Sequence, residues 1–115
     1  MTAHIVYKDI DTVPATRSQK FLTDILRGEW GYDGVIITDD IEMASAKGVN
    51  TVSTEEAAIQ ALEAGADMII STYTVELHEP IIKAVENAVL SGRLSKERIN
   101  KSVLRVWKLK SRLQS

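Results

Sequence analysis

Cysteine is absent from this chain, which removes disulfide staples, thiol nucleophiles and thiolate metal sites together. Its absence leaves the compartment open, since a cysteine-free chain suits the cytosol and the exterior alike. An excess of either charge is also missing: 14 basic against 16 acidic side chains give a formal net charge of −2. No broad basic face is available to neutralise a phosphate backbone, so nucleic acid is set aside as a partner. Long apolar runs are missing too. Stretches such as Val35-Ile36-Ile37 and Met68-Ile69-Ile70 fall far below the roughly 20 residues that span a bilayer, and no membrane segment is expected. The opening Met1-Thr2-Ala3-His4-Ile5-Val6-Tyr7 has neither a basic stretch nor a long apolar one and is not read as a signal peptide; an export signal would have to lie on a longer precursor. No low-complexity segment or linker interrupts the chain, and its 115 residues with 44% hydrophobic content suit one small soluble domain with a real core.

What is present alternates between two periodicities. Thr2–Tyr7 is rich in β-favouring residues and stops at Lys8-Asp9-Ile10-Asp11, which predicts a short buried strand and a loop. Ser18 stands where it can cap a helix with Phe21, Leu22, Ile25 and Leu26 at helical spacing, closed by Gly28 and Gly31. Gly34-Val35-Ile36-Ile37-Thr38 is apolar on both faces, as in a parallel strand covered by helices, and ends in Asp39-Asp40. After an irregular stretch from Ile41 to Val52, Ser53 and Glu56 have the spacing of a capping box before a helix that stops at Gly65. Ala66–Ser71 repeats the short apolar strand. Leu77–Leu90 reads as a helix with Ile81, Ile82, Val85 and Val89 buried, and Gly92 ends it. Ser95 opens a last helix with Ile99, Val103, Val106, Trp107 and Leu109 on one stripe, expected to be amphipathic and well anchored.

The order β, α, β, α, β, α, α implies an α/β fold with parallel strands and right-handed crossovers. About three βα units with an extra C-terminal helix could be one face of an open sheet or an arc of a barrel. A complete eight-stranded barrel needs about 200 residues or more, so barrel sequence of this length would leave strand edges that must be paired with something.

In both architectures functional groups collect beyond the C-terminal ends of the strands, where Asp39 and Asp40 are expected. A carboxylate there can be a nucleophile, a general base, a metal ligand or a cap of the following turn. Spacing does not choose between the two, since neighbours in an extended segment point in different directions. His4, taken alone, reads as a satisfied core or surface histidine, and His78 as an exposed one without a role. The two histidines lack the spacing of a metal pair. Trp30, after a helix end, and Trp107, on an apolar stripe, are expected to pack.

The string Gly34-Val35-Ile36-Ile37-Thr38-Asp39-Asp40-Ile41-Glu42-Met43 closely resembles the nucleophile strand of family 3 glycoside hydrolases of the β-N-acetylhexosaminidase type. Ala3-His4-Ile5 with Asp11 resembles the family's preceding strand and loop, and Leu26-Arg27-Gly28-Glu29-Trp30-Gly31-Tyr32-Asp33-Gly34 the approach to the nucleophile. Downstream, Ala61-Leu62-Glu63-Ala64-Gly65-Ala66-Asp67-Met68 is similar to a helix and the final strand, and Ser102-Val103-Leu104-Arg105-Val106 to the closing helix. The similarity runs in order over nearly the whole chain.

The resemblance implies that residues 1–115 are the C-terminal part of a TIM-type (β/α)8 barrel domain. It implies that Asp39 is the nucleophile of a retaining mechanism, with Asp40 structural, and that His4 and Met43 lie near the sugar. It also implies an acid/base histidine on an earlier loop, whose Lys-His-Phe-Pro-Gly type motif is absent here. The substrate of the full protein would be a terminal β-linked N-acetylglucosamine, with neither cofactor nor metal, and the chain alone would be inactive. Two other readings stand beside it: a half-barrel module that self-associates or completes a partner chain, and, last, a metal-dependent enzyme using Asp39 and Asp40 as oxygen ligands.

Overall fold

The computed structural model describes residues 1–48 and 51–114; Val49 and Asn50, within the stretch read as irregular, lie outside the described residues. In chain order the elements are helix α1 (Lys20–Glu29), strand β1 (Ile37–Asp40), a single helical turn Ala44–Lys47, helix α2 (Thr54–Ala64), strand β2 (Met68–Ile70), and helices α3 (His78–Leu90) and α4 (Lys96–Ser111). One-turn 3₁₀ segments occupy Ala15–Arg17 and Val75–Leu77. β1 and β2 pair in parallel, joined through α2, so the chain is a helix-rich α/β structure. No helix among the described residues is long and apolar enough to cross a membrane.

Local sequence sets the helix ends. Ser53 accepts the Glu56 amide at 3.1 Å, and Ser95 accepts the Arg98 amide at 3.0 Å, each satisfying one of the free N–H groups of a first helical turn. The Ser53–Glu56 box is only half formed, because the Glu56 carboxylate turns to Arg93 instead. Gly65 ends α2 at φ +130, and a Cβ there would lie 2.8 Å from Thr23 Oγ1, so backbone conformation and close approach of α1 both require glycine. α2 is the centre of the core. Its Ala57, Ala58, Ala61 and Ala64 pack with Leu22, Ile36, Ile41 and Ile81, while Ile59 and Leu62 on its other side meet Ala88 and Leu94. Small side chains let α1 and the strands come close; the buried Ile and Leu side chains contribute about 1.5–3 kcal/mol each.

Four expectations are corrected. Thr2–Tyr7 forms no strand: Thr2 N–H donates to Ile37 O at 2.9 Å, whereas Ile5 O and Ala3 O accept from Ala15 and Thr16 N–H. Its carbonyls are thus taken by a turn rather than by a neighbouring strand. α1 is more widely wound than an ordinary helix, with Trp30 N–H reaching back five residues to Ile25 O. The strand read as Gly34–Thr38 begins three residues later, at Ile37, and ends at Asp40, so both aspartates lie within it. Finally, Ile82, Val103, Leu109, Trp30 and Trp107 are exposed, Trp107 by 73%. The apolar stripe of α4 faces an open groove of about 760 Å³ along α3 and β2, and the core-facing side of α4 is polar.

That polar face meets Asp67, whose side chain is wholly buried. Oδ2 accepts from Arg27 Nη2 at 2.5 Å and from the Ile36 amide at 2.9 Å. Oδ1 accepts from the Ser102 hydroxyl at 2.6 Å and Arg105 Nη1 at 3.0 Å, with Arg98 Nη1 at 3.8 Å. Burial alone raises this carboxyl; the Ser102 hydroxyl, the Ile36 amide, Arg105 and Arg27 more than offset that and leave it below its ordinary value. Removing one partner of a buried charge cluster strands the others. Asp67→Ala is therefore expected to lower stability in urea unfolding by about 3–5 kcal/mol. Because the folded value is the lower one, Asp67 stabilises in full above the unfolded value of about 3.9, and the contribution fades as pH falls below it. The difference in unfolding free energy between the parent chain and Asp67→Ala should accordingly shrink in acid below about pH 4.

Candidate active site

Parallel strands put the ends of β1 and β2 at one side of the sheet, and the residues that follow them build a polar cluster there. The register is irregular: Ile37 opposes Met68 and Asp40 opposes Ile70, so β1 takes three steps where β2 takes two. The extra residue is absorbed as Thr38 Oγ1 accepts the Ile70 amide at 3.1 Å. A bulge of this kind re-aims the side chains beside it, here those of Asp39 and Asp40.

The two aspartates have different surroundings. Asp40 is 7% exposed; its Oδ1 accepts the Glu42 amide at 2.9 Å, and its Oδ2 accepts the Thr72 amide at 3.1 Å and the Thr72 hydroxyl. Asp39 is half-buried, and among the described residues its carboxylate accepts only the next amide, Asp40 N–H, at 2.8 Å. One carboxylate is consumed in holding the strand ends together, and the other keeps an oxygen free for chemistry. For two oxygen ligands of one metal ion, Asp40 would have to give up Thr72 and Glu42. Among the described residues no three His, Asp or Glu side chains are grouped to hold an ion.

His4 joins this cluster from the N-terminal segment. Its Nε2 lies 2.8 Å from Asp40 O and its Nδ1 2.8 Å from Thr16 Oγ1. A carbonyl only accepts, so Nε2 carries the hydrogen; in the neutral ring Nδ1 accepts the Thr16 hydroxyl, whose oxygen is 2.8 Å from that of Thr2. Both nitrogens are thereby engaged within the chain, and the ring ties residues 2–16 to the tip of β1. Met43 is 40% exposed just past β1, its amide bonded to Asp40 O.

Glu42, which the sequence pattern gives no role, links the two strand ends. Its Oε1 accepts from the Ser71 hydroxyl at 2.6 Å and from the Tyr73 and Thr74 amides at 3.1 Å. The Ser71 hydroxyl, then Thr74 and Tyr73, hold its carboxyl down to about 2 against a smaller upward push from desolvation. His78, also given no role, donates from Nε2 to Ser71 O at 3.0 Å. The only signal in the chain was a polar Ser-Thr-Tyr-Thr run after an apolar strand. The large groove does not contain Asp39; only Ser71 and His78 connect it to this cluster.

Carboxylates at the ends of parallel strands joined by helices define the class: an α/β protein with an acidic, polar cluster at one end of its sheet. Residues 1–109 match the glycosyl hydrolase family 3 N terminal domain, and the chain belongs to this family. A beta-hexosaminidase of Alkalilimnicola ehrlichii is 43% identical over 70 residues, 61% of this chain and 20% of that protein. A lysosomal beta glucosidase of Dictyostelium discoideum is 40% identical over 104 residues, 89% of this chain and 12% of that protein. Among solved structures, a family 3 beta-N-acetylglucosaminidase from Paenibacillus superposes with a TM-score of 0.89 at 43% identity, covering 97% of this chain and 21% of its own. The chain thus spans about a fifth of the length of the hexosaminidases it matches.

The contrast between the aspartates is measurable. Asp40→Ala leaves the Thr72 and Glu42 amides without partners and should cost about 1–3 kcal/mol in chemical unfolding. Asp39→Ala removes one contact to an adjacent amide and should stay within about 0.5 kcal/mol of the parent chain.

Proposed function

We propose that this chain is the nucleophile-bearing arc of a (β/α)8 barrel that, when complete, hydrolyses terminal β-linked N-acetylglucosamine with retention. The observation that carries the reading is the free carboxylate of Asp39 beside the fully satisfied Asp40, within a family whose relatives include beta-hexosaminidases. Asp39 attacks the anomeric carbon as the bond to the leaving oxygen breaks, giving a covalent glycosyl-enzyme. Water then displaces the sugar with help from the group that first protonated the leaving oxygen. That acid lies in the part of the relatives this chain does not span. His4 and Met43 border the sugar, His4 by fixing the tip of β1 and Met43 through its open side chain.

Without the acid the leaving oxygen departs unassisted, at a cost of about 10²–10⁴ in rate, and most sugar contacts are missing as well. The isolated chain should show no hydrolysis of a chromogenic β-N-acetylglucosaminide above its Asp39→Asn variant. Grafted into the Paenibacillus relative in place of the matching segment, it should support turnover, and Asp39→Asn in the graft should lose about a thousandfold or more in kcat. An active isolated chain, or a graft indifferent to Asp39→Asn, contradicts the reading.

A second reading, a half-barrel module that pairs with itself or with a complementing fragment, is favoured by the unpaired outer edge of β2 and the groove along it, where Ile82 and Trp107 are exposed. Unpaired edges and contiguous apolar surface both favour association. Sedimentation should then show an oligomer that Ile82→Glu returns to monomer; a parent chain that is monomeric throughout the micromolar range counts against it.

A further inference from the structure

We infer that the Ser71–Thr74 loop is a second wall of the carbohydrate site, with Asp40 and Glu42 as positioning residues and Tyr73 as the side chain that touches sugar. This rests on the carbohydrate reading above and extends it to a specific contact. β1 and β2 are parallel, so Tyr73, three residues past β2, emerges at the same end of the sheet as Asp39. A short polar segment at a strand end is ordinarily among the more mobile parts of a fold. This one is held at each residue: Ser71 by its hydroxyl on Glu42 and its carbonyl on His78, Thr72 by amide and hydroxyl on Asp40, and Tyr73 and Thr74 by their amides on Glu42.

The two carboxylates come from the tip of β1, 29 to 32 residues away in sequence, and their effect is to lock the backbone under one side chain. That side chain has no structural work. The Tyr73 residue is 79% exposed, and among the described residues its ring has no aromatic partner and its hydroxyl no hydrogen bond. An exposed aromatic ring on a fixed backbone is pre-organised to stack on the C–H face of a pyranose, since the loop ordering that binding would otherwise require is already done. With its carboxyl held to about 2, Glu42 stays ionised from mild acid upward, so the clamp is present wherever a glycosidase would work.

The test uses the chain grafted into the Paenibacillus relative, where the remaining sugar contacts are supplied, followed by amide NMR of the isotope-labelled graft while N-acetylglucosamine is added. N-acetylglucosamine should shift the Tyr73 resonances, and Tyr73→Ala should remove the shifts in the Ser71–Thr74 loop. In sugar-free protein, Glu42→Ala should raise hydrogen exchange at the Tyr73 and Thr74 amides by about tenfold or more while leaving the Ile41 amide protected. Glu42→Gln, which keeps an acceptor oxygen, should restore much of the protection and of the sugar-dependent shift. Unchanged exchange at Tyr73 and Thr74 in Glu42→Ala overturns the clamp, and a silent Tyr73 in the sugar titration overturns the contact. If Asp39 to Met43 shift while Tyr73 does not, the inference alone fails; if neither shifts, the carbohydrate reading is in question with it.

Discussion

Asp67 lies between the last turn of α2 and the start of β2, and the other elements depend on how its buried carboxylate is satisfied. Arg27 brings α1 to it, the Ile36 amide brings the approach to β1, and Ser102 and Arg105 bring α4. Arg98 completes the arrangement by donating to Leu62 O and Ala66 O as well, closing the end of α2. A buried carboxylate is tolerable only with such partners, because desolvation otherwise neutralises it or expels it. Its position also starts the pairing of the strands: Asp67 N–H donates to Ile36 O at 2.8 Å while its side chain takes the Ile36 amide. The register of β1 on β2, and so the placing of both strand ends, begins at this residue.

From that start the sheet runs only a few residues before the end where three carboxylates within four positions have different surroundings. Asp40 uses both oxygens, one on the Glu42 amide and one on Thr72, and Glu42 uses one oxygen on Ser71, Tyr73 and Thr74 of the loop after β2, whereas Asp39 accepts only the adjacent Asp40 amide among the described residues. The difference is one of environment rather than of residue type, since acidic side chains take their function from the donors around them. Where the register shifts between Ile37 and Asp40, the Thr38 hydroxyl takes the Ile70 amide, and the two aspartates, as neighbours in an extended segment, meet different surroundings. His4 braces the result by donating to Asp40 O, so the carbonyl at the strand tip is held from the N-terminal segment.

Features fixed by near neighbours were readable in the sequence. The caps at Ser53 and Ser95, the stop at Gly65, the alanine-rich face of α2 and the parallel α/β order all depend on contacts within a few residues or on simple periodicity. What depends on distant partners was not. Thr2–Tyr7 has strand composition, but its carbonyls go to Ala15 and Thr16, and no pattern in six residues could announce that. The stripe on α4 was correctly periodic yet faces a groove instead of a core, because the buried side of that helix is chosen by Asp67 through Arg98, Ser102 and Arg105. Position at a strand end pointed to the Asp39–Asp40 pair, but spacing left the choice between them open, and only the family resemblance singled out Asp39. Glu42 and Tyr73 escaped notice because their meaning lies in contacts across about thirty residues.

We propose that Asp39, and not a neighbouring carboxylate, forms the bond to sugar in the complete barrel. The most direct measurement is mass spectrometry of the graft into the Paenibacillus relative after reaction with a fluorinated N-acetylglucosaminyl donor that slows release of the glycosyl-enzyme. The account predicts one added sugar on the peptide containing Gly34 to Met43, with the ester on Asp39. An adduct on Asp40 or Glu42, or outside this chain altogether, would contradict it.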